Sequence, residues 1–200
     1  MKKILIAVCI FSCTFVNAQD KMVVKETFDS NKFQWDEFYE KDCSAGIQDG
    51  YFALQNKKKD YFVRSVAELP INTDNNFKIT FKFLVPKLND EYYFGLVFNY
   101  EDENNYSDFL VSEKKYKMSN KVNGTSSISR QNSIILKSGK NKQVIIEIEK
   151  KGPKLIFRVD DMEAVSITKK LNFNTFGFLV ENENTIKIDE VIIEQQQREE

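Results

Sequence analysis

The chain of 200 residues contains no histidine. That absence removes Ser-His-Asp and Cys-His nucleophile systems, together with every zinc or iron site that relies on imidazole. Cysteine is almost as scarce. Of three, Cys9 and Cys13 fall inside an N-terminal apolar stretch, so Cys43 stands alone beyond it. One cysteine closes no internal disulfide and builds no thiolate cluster, and the fold must therefore be held by its apolar core. With 7 glycines and 3 prolines, no glycine-rich phosphate loop follows a strand and no flexible linker divides the chain. A basic excess is also missing. The 29 Lys and Arg are balanced by 30 Asp and Glu, which leaves no cationic face for phosphates and excludes nucleic acid from the expected partners. The lysine runs Lys57-Lys58-Lys59 and Lys114-Lys115 are read as solvated turns.

What is present begins with an export signal. Lys2 and Lys3 precede the apolar stretch Ile4 to Val16, and Val16-Asn17-Ala18 supplies small-residue cleavage chemistry before Gln19. A membrane span needs roughly 20 apolar residues, more than this stretch offers, and no later segment is apolar enough. The expectation is an exported protein without a transmembrane segment, destined for the periplasm, the cell surface or the medium. Ile10-Phe11-Ser12-Cys13 loosely follows a lipobox, so acylation at Cys13 is the alternative, although Phe11 and the apolar Thr14-Phe15-Val16 fit it poorly. The domain division expected is a signal over 1–18, one domain over 19–194 and a polar tail over 195–200.

Within that domain the apolar pattern has period two. Phe77, Ile79, Phe81, Phe83 and Val85 alternate with Lys78, Thr80, Lys82 and Leu84, as a half-buried strand requires. Val144-Ile146-Ile148, Leu155-Phe157-Val159 and Ile186-Ile188 repeat the pattern. Asp49-Gly50 and Asn123-Gly124 are tight-hairpin dipeptides. Lys151-Gly152-Pro153, Ser138 to Asn141, Asp160-Asp161 and Asn182-Glu183-Asn184 mark further turns. Many short strands, regular turns and no amphipathic helix predict an all-β fold, a two-sheet antiparallel β-sandwich. The 17 Phe and 8 Tyr suit a thick core, because each ring buries a large apolar area.

The segment order resembles the concanavalin A-like lectin/glucanase superfamily, in particular the laminin-G-like and 3-keto-disaccharide-hydrolase-like jelly-roll domains of exported Bacteroidetes proteins. The residues that carry the resemblance are Ile47 to Tyr51, Asn76 to Ile79, Phe94 to Phe98, Asn104 to Phe109, Phe176-Gly177-Phe178 and Ile188 to Val191. One departure is Asp160-Asp161, where such domains often turn with Asn-Gly. The resemblance implies a jelly roll and leaves activity open. Glycosidases of that superfamily set three acids along one strand as Glu-x-Asp-x-x-Glu, a motif this chain lacks. Its nearest segment, Asp189 to Glu194, has its acids at other spacings, and a closing strand with a polar outer face is the expectation there.

Two candidate sites remain. Glu101 to Asn105 with Asp108 offers oxygen ligands, so calcium is the one cofactor considered, with Asp102, Asn104 and Asp108 as its candidate ligands against a plain solvated hairpin. No other cofactor is expected. If Phe94, Leu96, Phe98, Phe109 and Val111 face the core, then Tyr93, Asn99, Tyr106 and Asp108 share the opposite face. Arg130 from a later segment could join them. Such a set would bind a saccharide by stacking and by planar polar groups, or would merely pack across strands. Trp35, the sole tryptophan, is read as a core or edge residue. The expected function is a non-catalytic binding module for carbohydrate or another cell-envelope ligand. A structural or protein-interaction role with an envelope protein, and a glycan-processing enzyme, are the alternatives.

Overall fold

A computed structural model describes residues 21–136 and 142–196. The expected signal over 1–18, with Cys9 and Cys13, lies outside the described residues, as does the predicted turn at Ser138 to Asn141. Fifteen strands form two antiparallel sheets that do not close into a barrel, so the predicted sandwich is what the chain builds. The larger sheet contains β1 (Lys21–Glu26), β2 (Phe38–Tyr39), β3 (Cys43–Gln48), β4 (Tyr51–Asn56), β6 (Phe77–Val85), β11 (Lys142–Lys151), β12 (Lys154–Val159), β13 (Met162–Thr168) and β15 (Asn184–Gln196). Its spatial order is β13-β12-β11-β6-β15-β4-β3-β2, with β1 paired to the far end of β15. The smaller sheet runs β10 (Thr125–Ser133), β9 (Lys115–Val122), β8 (Asn105–Val111), β7 (Phe94–Asp102), β14 (Thr175–Glu181) and β5 (Phe62–Glu68). No helix among the described residues is long and apolar enough to cross a membrane.

The alternation in β6 settles which way the sheet faces. Phe77, Ile79, Phe81, Phe83 and Val85 are all buried, and they meet Val144, Ile146 and Ile148 of β11 in register. From the other sheet Phe178 lies edge-on to Phe81 and Phe83, with ring centroids 6.0 Å away in each case. Trp35 stacks on Phe178 at 4.4 Å, so the tryptophan is a core residue, as one of its two readings held. Each such ring contributes roughly 1.5–3 kcal/mol by burial, which explains how a chain with a single described cysteine holds together.

Turn chemistry behaves as the sequence predicts. Asp49-Gly50, Asn123-Gly124 and Asp160-Asp161 all carry positive φ at both central positions, the geometry a tight antiparallel hairpin demands. One boundary differs. β15 continues to Gln196, two residues into the expected tail, because the buried Gln195 amide both accepts from Asn72 N and donates to Asn72 O.

Candidate functional site

The smaller sheet turns one face to the core and carries a second apolar layer on the other. Along β7 and β8, Phe94, Leu96, Phe98, Phe109 and Val111 point inward. Val97, Tyr106 and Leu110 point outward and pack with Leu179 of β14. Phe62, Val66, Tyr93 and Tyr100 border this outer cluster. Register places Asp108 opposite Val97 and Ser119, on the same outer face. Three of the predicted site residues, Tyr93, Tyr106 and Asp108, are therefore brought together as the alternation required.

Their exposure differs from the expectation. Tyr106 is buried beneath long side chains. The Arg64 guanidinium lies 5.1 Å and the Lys121 ammonium 5.6 Å from its ring centroid, and Tyr100 tilts against it at 6.0 Å. Burial pushes its phenol above the usual range. Lys117 sits 4.3 Å over the Tyr93 ring and reaches both oxygens of Glu181, at 2.9 and 2.7 Å. Asp108 is only 8% exposed. Loss of water raises its pKa to about 6, opposed by the Ser119 hydroxyl and the Lys117 charge, and its Oδ1 lacks a hydrogen-bond partner. These groups form the floor of the face and not a stacking platform.

Asn99 and Arg130 do not join them. The β7 ladder is irregular between Phe98 and Asp102, and Asn99 adopts a φ of 51°. Its Oδ1 accepts from Asn172 N and Phe173 N at 2.6 and 3.2 Å, which pins the loop before β14. A β-bulge between Ile128 and Arg130 sets Arg130 opposite Met118. Met118 belongs to the inner core row, so the extra residue has turned Arg130 to the opposite face of the sheet. Its guanidinium bonds back to Ser129 O.

The calcium candidates also separate. Asp102 accepts from Asn104 N at 2.6 Å and from Asn105 Nδ2 at 3.1 and 3.0 Å, chiefly the first of which lowers its pKa. Its carboxylate thus shapes the β7–β8 hairpin, while Asp108 lies on the sheet floor, paired across from Val97 rather than in that hairpin. No group of three or more acids, cysteines or histidines among the described residues is arranged to hold a metal.

Beside this floor, along β5, the surface is indented. A groove of about 580 Å³ is lined by Tyr61, Phe62, Arg64, Tyr100, Glu103 and Lys121, with Asp36, Glu37 and Glu40 on its far wall. A second indentation of about 880 Å³ continues past Phe33, Gln34, Glu68, Leu69, Pro70 and Glu101. Asp36, Val66 and Tyr100 line both. The N-terminal loop makes one wall, and its placement has a clear cause. Glu26 is buried and accepts from Phe28 N and Phe33 N at 3.2 and 3.0 Å. Asn31 braces Trp35 through its N–H and its carbonyl, at 2.8 Å each. The loop then docks on the edge of β5, where Asp36 N donates to Val66 O at 3.1 Å and the Ser65 hydroxyl donates to Asp36 O at 2.8 Å. Arg64 stands between the two parts of the face. Its guanidinium lies 5.6 Å from the Phe62 ring and 5.2 Å from the Tyr100 ring, and it meets Glu103 at 3.5 Å.

Sequence reasoning missed Asp36, Arg64 and Tyr100. Phe62, Arg64 and Val66 alternate with Val63, Ser65 and Ala67, so period two contained the signal for Arg64. Asp36 lies in an irregular loop and carries no local pattern.

No family model matches this sequence, and no curated protein matches it. Solved structures do resemble it in fold. A xylan β-1,4-xylosidase from Bacillus halodurans superposes with a TM-score of 0.59 at 14% identity, over 86% of this chain and 39% of that one. This chain thus spans about two fifths of that enzyme's length. The catalytic domain of an endo-1,3-β-glucanase (laminarinase) from Thermotoga petrophila matches with a TM-score of 0.56 at 10% identity, over 90% of this chain and 100% of that one. A structure described with the endo-acting O-glycanases of human gut bacteria that initiate mucin breakdown gives 0.59 at 10% identity, covering 87% and 99%. Identities this low speak to fold alone. What these structures share with this chain is the β-sandwich fold.

Proposed function

We infer that the chain is an exported, non-catalytic module that binds carbohydrate in the groove along β5. The observation that carries this reading is the chemistry where the two indentations share their lining. The half-buried ring of Tyr100 and the exposed Asp36 face one another across Val66, with Arg64 beside them. An aromatic surface for the apolar side of a pyranose and planar polar groups for its hydroxyls are what saccharide recognition needs. The folds of the xylosidase and laminarinase structures are compatible with this class of ligand, and a place among the exported jelly-roll domains of Bacteroidetes is part of the same proposal.

A glycan array probed with the purified protein, beside Tyr100→Ala and Arg64→Ala variants, tests the reading. Binding that either substitution reduces roughly tenfold or more, a loss of about 1.4 kcal/mol, would support it. Binding that both variants retain in full would move the site elsewhere, and silence across the array would remove the carbohydrate reading.

One feature favours a protein partner as the second reading. Among the described residues β10 is an edge of the smaller sheet, is solvent-exposed along almost its whole length, and presents Ile128 at 60% exposure. Edge strands of this kind accept an added strand from a partner.

A further inference from the structure

The shape and charge of the groove point beyond carbohydrate in general to one class of it. We propose that the groove takes an internal stretch of a linear, non-anionic polysaccharide lying along β5, rather than a chain end or an acidic glycan. This rests on the reading of the groove as a carbohydrate site.

The first part of the argument is continuity. The two indentations meet over Val66, where Asp36 forms one side and Tyr100 the other. These three residues line both indentations, so the two adjoin there. From Tyr61 to Glu68 the floor follows an extended strand, a distance of roughly 23 Å at about 3.3 Å per residue. A pocket for a sugar terminus would be closed by a wall across that line. Here the line continues past Tyr61 at one end and past Glu68 and Pro70 at the other, all three exposed to solvent.

The second part is the spacing of aromatic surface. Tyr61 and Phe62 stack on each other with ring centroids 6.0 Å apart at one end. Tyr100 stands where the two indentations share their lining, whereas Phe33 in the far part is a core residue, only 9% exposed. Apolar contact is thus offered at two places along β5, the Tyr61–Phe62 pair and Tyr100, as a repeating ligand would use it, instead of being gathered at one point.

The third part is charge. The walls carry the carboxylates Asp36, Glu37, Glu40, Glu68, Glu101 and Glu103 against the cations Lys32, Arg64 and Lys121. Arg64 is already beside Glu103, and Lys121 lies over Tyr106. The local excess of negative charge repels uronates and sulfate esters, while carboxylates accept hydrogen bonds from sugar hydroxyls.

Calorimetric titration of the purified protein tests all three parts. The probes are linear β-1,3-gluco- and β-1,4-xylo-oligosaccharides of about two to eight units, each also with its reducing end converted to the alditol, and oligogalacturonates of matching lengths. Affinity should climb roughly tenfold or more from the shortest to the middle lengths and then level off. End reduction of the longer oligosaccharides should leave it unchanged within about twofold, and oligogalacturonates should bind at least roughly tenfold more weakly at low salt. Tyr61→Ala, at a position 54% exposed, should weaken the longer oligosaccharides while sparing the shorter. Full affinity already at the disaccharide, or loss on end reduction, would overturn the internal-stretch proposal and leave the carbohydrate reading standing. Preference for oligogalacturonate would overturn the charge argument. No binding by any oligosaccharide would overturn this proposal together with the carbohydrate reading beneath it.

Discussion

At the scale of single residues, Asp108 has the most direct consequence. Burial raises its folded pKa well above the usual carboxylate range, to about 6, so the folded state favours the protonated form. The sign follows from linkage: stability is highest below the unfolded pKa and declines as pH rises from about 4 to about 6, above which the penalty is constant. Replacing the carboxylate with a neutral amide removes the titration. Asp108→Asn is therefore expected to raise stability relative to wild type by about 3 kcal/mol at pH 8 and by little at pH 4, read as the difference in urea midpoints at the two pH values. An equal effect at both would show that the carboxyl is not held up by burial. Residue-level reading of the sequence was sound where alternation alone governs, as at Tyr93, Tyr106 and Asp108. It failed at Asn99 and Arg130 because ladder irregularities intervene in β7 and β10. A single inserted residue reverses every facing beyond it, and Ser129 bears no mark of being that residue.

At the scale of elements, the N-terminal loop and β5 act as one unit. The loop has little regular structure, yet a buried carboxylate, an asparagine and two hydrogen bonds to the β5 edge hold it. Glu26→Ala strands the N–H groups of Phe28 and Phe33 in a buried setting, and each unsatisfied donor costs roughly 1–3 kcal/mol. A destabilisation of about 2–6 kcal/mol is expected in denaturant melts, with Glu26→Gln recovering part of it through its remaining carbonyl oxygen. The smaller sheet makes a comparable demand at Gly177. A Cβ there would press against Ser65 O on the neighbouring strand and lie 2.7 Å from a Val66 methyl. Gly177→Ala must push β14 and β5 apart beneath the groove, and its expected signature is a lower thermal midpoint together with faster amide exchange along β5. Unchanged exchange would mean the strands absorb the methyl. The hairpins at Asp49-Gly50, Asn123-Gly124 and Asp160-Asp161 were legible because their chemistry is local. The loop was not, since Glu26 and Asn31 hold nearby backbone groups through irregular turns that follow no repeating pattern, and Asp36 meets its β5 partners only in the folded chain.

At the scale of the whole molecule, the sequence contained the architecture in its phenylalanines. Inward rows from both sheets, joined by Trp35 and Phe178, account for the two-layer sandwich without help from disulfides, and the alternation of those rows is visible residue by residue. The groove was not visible in the same way. It arises where a loop from before β2 meets the outer face of a sheet whose strands lie far along the chain, so its lining is spread from Asp36 to Lys121 with no motif to gather it. The central claim of the account is that this groove, and not the aromatic floor around Tyr106 or the edge at β10, is where the protein meets a saccharide. Amide-resolved NMR titration of the isotope-labelled protein with the strongest-binding oligosaccharide from the array tests it most directly. The account predicts that shift changes concentrate at Asp36, Arg64, Val66 and Tyr100 and extend along β5, and that Tyr100→Ala abolishes them at the same sugar concentration. Changes centred on β10 or spread over the larger sheet, with β5 silent, would contradict it.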